Sequence, residues 1–118
     1  MQHQVPEAND LEPLTQSELD NVLEKHAMYV RGQIGGGRCV LQYRNLSDLD
    51  FKEADLSQAD FTGSSFTNSD LSNGVFISTS FFACDMRNAN LQNTNLSRAD
   101  FRGAYVAGAN LTGADMNG

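Results

Sequence analysis

The chain of 118 residues has no tryptophan, and aromatic residues make up only 8% of it. Such a composition suits a narrow interior filled by alanine, leucine and phenylalanine. Proline stops at Pro13, cysteine is limited to Cys39 and Cys84, and histidine to His3 and His26. No Ser, His and Asp set, no paired His ligands and no H-E-x-x-H motif occurs, so neither catalysis nor a metal has a visible carrier. No apolar run approaches the ~20 residues of a membrane span. Eight basic residues against fifteen acidic ones give a net charge of −7, which opposes direct nucleic-acid binding. The opening MQHQVPEAND lacks the basic and apolar regions of a signal peptide, so a cytoplasmic protein without membrane contact is expected.

Against these absences stands one strict pattern. A large apolar residue recurs at every fifth position from Leu41 to Met116, through sixteen units, whereas helices repeat at 3.6 and strands at 2. With that residue as position i, position i−2 is small in fourteen units, and only Arg44 and Leu49 depart. Position i−1 is Asp or Asn in eleven of sixteen, which places short side chains able to bond nearby backbone where the chain has to bend. The chain is a repeat protein in which two residues of every five point inward.

Units such as ADLSQ, ADFTG, ANLQN, ADFRG and ANLTG resemble the pentapeptide-repeat family, whose consensus is A(D/N)LXX. The resemblance covers roughly two thirds of the chain. It implies an all-β solenoid, a right-handed quadrilateral β-helix with four pentapeptides per coil, so that residues twenty apart stack. Sixteen units then form about four coils, a rod on the order of 20 Å long. Leu41, Phe61, Phe81 and Phe101 share one side; Leu46, Phe66, Met86 and Val106 a second. Phe51, Leu71, Leu91 and Leu111 share a third; Leu56, Phe76, Leu96 and Met116 the fourth. Such an interior leaves no room for a ligand, so function is expected on the outside or at an end, with no cofactor. Cys39 and Cys84 fall in the small inward column on different sides, as buried thiols without a disulfide and without a metal site.

Three regions are expected: an acidic flexible tail over 1–13, a capping helix with a glycine-rich turn over 14–38, and the repeat over 39–118. Thr15 and Glu18 form a capping box, and Leu14 with Leu19 a hydrophobic staple. Leu19, Val22, Leu23, His26 and Val30 make one apolar stripe that should lid the first coil, ending at Gly32. Gly35, Gly36 and Gly37 lack the order of a phosphate loop and read as a hinge, and His26 as a packed group. Unpaired strand edges invite association, so Leu111 and Met116 at the uncovered C-terminal end are candidates for contact with a second copy.

On the outer surface, Val75, Ile77, Phe82 and Tyr105 put apolar groups in columns that are otherwise polar, as a protein partner's contact surface would. Asp50 and Asp70 should stack into the densest acidic row. The family includes quinolone-resistance proteins thought to imitate DNA before gyrase, but nine acidic against five basic residues in 39–118 fall short of duplex charge density. A non-catalytic protein-binding scaffold or adaptor is therefore the leading expectation. A DNA-mimicking topoisomerase inhibitor and a spacer module of a larger protein are the alternatives.

Overall fold

A computed structural model describes residues 7–118. A 3-10 turn, Ala8–Asp10, leads into a short strand β1, Glu12–Pro13, and then helix α1, Gln16–Val30. Strand β2, Arg44–Asn45, pairs in parallel with β1. Beyond it the backbone is a ladder of parallel bridges between residues twenty apart, from Val40 with Asp60 to Asn95 with Asp115. From coil to coil one set of bonds recurs. For Phe61, its N–H donates to the Ser80 carbonyl at 2.9 Å, Gly63 N–H donates to Phe82 at 2.9 Å, and Ser80 N–H returns to Ala59 at 2.9 Å. Backbone polarity is thereby satisfied from coil to coil, and the chain is a β-solenoid.

The corners divide their work between two positions. The i−1 carboxylate or amide bonds forward: Asp60 Oδ1 accepts from Thr62 N–H at 3.0 Å, as Asp70 Oδ1 does from Ser72. The reversal itself lies at i+2, where every unit has positive φ, with Asn68, Asn73, Asn88, Asn93 and several glycines suited to it. Asp and Asn at i−1 are thus braces beside the bend rather than the bend. Tyr43, Gln58, Ala83 and Arg98 hold the same left-handed conformation without such suitability.

Inside, Phe61, Phe81 and Phe101 stack with ring centroids 5.7 and 5.0 Å apart, as a twenty-residue repeat requires. In three of the four units where the small column carries Ser or Thr instead of Ala, the buried hydroxyl finds a carbonyl of the coil before, while Thr94 donates to Leu91 of its own coil at 2.8 Å. Ser64, Ser69 and Thr79 donate to Leu41, Leu46 and Leu56 at 2.6, 2.6 and 2.8 Å. The Cys84 thiol makes the equivalent contact to Phe61 at 3.0 Å. Both cysteines are free and buried, and burial pushes both thiols up to about 12. The two departures from the small column lie in the first coil: Arg44 reaches back to the Glu12 and Pro13 carbonyls, and Leu49 joins the core cluster that includes α1.

The capping box of α1 closes reciprocally, with Glu18 N–H on Thr15 Oγ1 at 3.1 Å and Thr15 N–H on Glu18 Oε1 at 3.0 Å. Those bonds hold the Glu18 carboxyl below its ordinary range. Leu14, Leu19, Leu23 and His26 are buried, but Val30 is exposed, so the stripe ends a turn earlier than its sequence pattern. Two further expectations change. Of the tail expected over 1–13, residues 1–6 lie outside the described residues, whereas Glu12 and Pro13 form β1 because β2 offers them a strand edge. The glycines are a packed turn rather than a free hinge: Gly37 N–H bonds to the Lys25 carbonyl, and a Cβ at Gly36 would meet the Tyr29 nitrogen at 2.5 Å.

Candidate interaction surface

The first coil has no coil before it, and several of its edge groups are met by three unrelated substitutes. On one side Leu14 N–H donates to the Asn45 carbonyl at 3.1 Å, next to the β1–β2 pair. On the next, the Gln16 side-chain amide acts as a one-residue strand. Its Oε1 accepts from Asp50 N–H at 2.8 Å and its Nε2 donates to the Asp50 carbonyl at 2.7 Å. His26 meets two more groups: Cys39 N–H donates to Nδ1 at 2.8 Å, which leaves the proton on Nε2 to be donated to the Ser57 carbonyl at 2.9 Å.

The four outward apolar residues are spread over different sides and coils of the solenoid. Val75 and Ile77 flank the buried Phe76 on one side; Val75 is half-buried and Ile77 is 37% exposed. Phe82 begins the next side, 42% exposed, with the Arg102 guanidinium 5.6 Å over its ring. Tyr105 is half-buried a coil further on, bridged to Asp85. Val75 and Ile77 lie one coil on from a feature that periodicity does not signal. An open cleft of about 440 Å³ lies between the end of α1 and the first coil, lined by Tyr29, Val30, Asp55, Ser57 and Gln58. Val75 bridges to Asp55, and Gln58 N–H donates to the Ile77 carbonyl at 2.9 Å, so the apolar pair stacks one coil on from the strand that lines the cleft.

Asp50 and Asp70 stack as bridge partners. Both carboxylates are engaged locally, Asp50 with Lys52 N–H at 2.8 Å and Asp70 with Ser72 N–H and its hydroxyl at 3.0 and 2.6 Å. Elsewhere on the rod, Arg87 grips Asp85 through two bonds of 2.8 and 2.6 Å, and Arg102 grips Asp100 at 3.0 and 2.8 Å. The Arg102 bonds hold the Asp100 carboxyl below its ordinary value. At Asp60 burial opposes ionisation, but bonds from Thr62 and Gln42 outweigh it and the carboxyl is again lowered. At the other end, Leu111 is half-buried, and Val106 and Met116 are 43% and 53% exposed. Among the described residues, no group of three or more His, Cys, Asp or Glu is placed to hold a metal ion, and no helix is long and apolar enough to cross a membrane.

The family model for pentapeptide repeats matches residues 38–76 and 79–118, more than half of the chain. The chain belongs to the pentapeptide-repeat family. Among solved structures it is similar to alr5209, a pentapeptide repeat protein from Nostoc Pcc 7120. Their TM-score is 0.65 at 22% identity, over 89% of this chain and 77% of that one, and the likeness concerns the fold. HetL, a pentapeptide repeat protein involved in heterocyst differentiation regulation in Nostoc sp. strain PCC 7120, matches at a TM-score of 0.41 and 24% identity. That match takes in 68% of this chain and 48% of HetL. QnrB1, a plasmid-mediated fluoroquinolone resistance protein, gives a TM-score of 0.34 at 17% identity over 69% and 47% of the two chains. The pentapeptide-repeat chain thus spans about half the length of the latter two. No curated protein matches it.

Proposed function

We propose that this pentapeptide-repeat protein is a non-catalytic protein-binding scaffold. Its sixteen units make four coils with α1 as the cap of the first, and its partner contacts the side formed by Val75, Ile77 and the cleft at the end of α1. The observation that carries this reading is Ile77, an exposed aliphatic group in a column otherwise filled by Ser57, Ser97 and Asn117, one coil on from a polar cleft. Binding hot spots pair an apolar anchor with neighbouring polar groups in this way. Phe82 is a secondary contact because Arg102 already covers one face of it. Asp85 and Asp100 weigh against duplex mimicry, since two of the rod's nine carboxylates are neutralised by arginine and the rest brace or flank corners.

The test is a photoreactive side chain at position 77, followed by affinity measurement on the protein that it captures. Ile77→Asp should weaken that partner by about tenfold or more while thermal unfolding stays where it was. Equal affinity for the parent and the Asp variant, or no capture at position 77 with capture elsewhere on the rod, sinks the assignment. The coil that carries Leu111 and the exposed Met116 is proposed as the contact to a second copy. Sedimentation of the parent and of Met116→Asp over a range of concentration decides it, a strict monomer in both ending the proposal.

A further inference from the structure

His26 joins α1 to the first coil through a ring with no exposed surface and no spare bonding capacity. Its Nδ1 lone pair is taken by Cys39 N–H and its Nε2 proton by the Ser57 carbonyl, so the docked geometry admits the neutral ring alone. A second proton would sit on Nδ1 facing the Cys39 N–H, donor against donor, and would leave a charge in a buried site. We propose that His26 is an acid-sensitive latch, whose protonation releases the C-terminal half of α1 and opens the edge of the first coil.

The surroundings place the hinge. The N-terminal half of α1 is held independently by the capping box, by the two Gln16 bonds to Asp50 and by the 3.6 Å pair of Lys52 with Asp20. The C-terminal half ends at exposed Tyr29 and Val30, with the open cleft immediately beside the His26–Ser57 bond. Of the charged groups facing the ring from the rod, Asp55 favours the imidazolium and Arg38 opposes it. The thiol of Cys39, whose backbone N–H meets the ring, stays neutral. On its own helix the ring meets Tyr29, centroids 5.4 Å apart. Burial dominates and lowers the ring below the ordinary 6.5. A folded value below the unfolded one means that the released state binds the extra proton. The docking contribution is therefore complete above pH 6.5 and is lost as pH falls from there toward the depressed value.

Hydrogen exchange of the full chain at about pH 7.5 and about pH 5, corrected for intrinsic rates, tests the latch. Linkage to one proton changes an opening equilibrium by at most about tenfold per pH unit. Protection of the Ala27 to Arg31 amides should therefore fall roughly tenfold relative to Phe66 and Met86 amides. His26→Gln keeps one donor and one acceptor without titrating, and its ratio should not change with pH. An unchanged ratio in the parent, or the same loss in the glutamine variant, overturns the proposal. Should that variant fail to fold, ring nitrogen NMR of the parent replaces it. The Nε2–H tautomer at about pH 7.5, and protonation coincident with the loss of protection, sustain the latch; protonation without that loss refutes it.

Discussion

The first coil and the coil that reaches Met116 have the same backbone chemistry and differ in how their edge groups are bonded. At the N-terminal end several of the edge bonds that a preceding coil would make are supplied by a strand, a glutamine amide and an imidazole, over the buried Leu19 and Leu23. At the C-terminal end Phe101, Val106 and Leu111 have N–H groups that bond to no backbone carbonyl among the described residues, and Met116 is 53% exposed. A repeat specifies its interior by stacking, but an end has to be met by residues outside the repeat, each bonding the edge with whatever group it carries.

The comparison breaks most visibly through size of side chain. Leu19→Ala, at the covered end, should cost about 2–5 kcal/mol, whereas Met116→Ala, half in solvent, should cost less than about 1 kcal/mol. Denaturant midpoints of the two variants measure the contrast, and equal losses would mean that α1 contributes no burial of its own. Gln16→Ala removes both bonds to Asp50 and exposes that edge, for an expected loss of about 1–2 kcal/mol in the same assay. Thr15→Ala dissolves the capping box for about 1 kcal/mol, read as a lower melting temperature.

Within the rod, one corner column carries opposed predictions of smaller size. Gly63 has φ +74, and a Cβ there would run into the Tyr43 ring, so Gly63→Ala should destabilise by about 1 kcal/mol or more. One coil on, Ala83 holds φ 56 with a side chain in place, and Ala83→Gly should be neutral or stabilise by up to about 1 kcal/mol. Calorimetry on both decides whether the left-handed strain is real; a shift of the same sign in both would refute it. The stability of the parent should also rise with pH through the region below 6.5, following the lowered His26 ring, and flatten above it.

Much of the fold was legible because a period of five leaves the backbone one way to bury Phe61, Phe81 and Phe101 in a column, and the capping box was legible because Thr15 and Glu18 act across three residues. The corner was half legible: Asp60 and its equivalents were recognised as bonding to nearby backbone, but the positive φ lay at i+2, where Asn and Gly alternate with Gln58, Ala83 and Arg98. The packed end of α1 was not legible, since exposure of Val30 and the cleft beside it depend on where the Gly35 to Gly37 turn brings the chain back. Nor was the service of Gln16 and His26 to the edge, because their partners lie 34 and 31 residues away.

The sequence by itself determined the solenoid, its inward columns and the start of the helix, since periodicity and capping are local and repeat with every unit. Only the tertiary structure decided which groups close the first coil, which carboxylates are spent on arginine, and that Ile77 lies one coil on from an open cleft. Those outcomes depend on single contacts between distant residues, made once, for which no period exists.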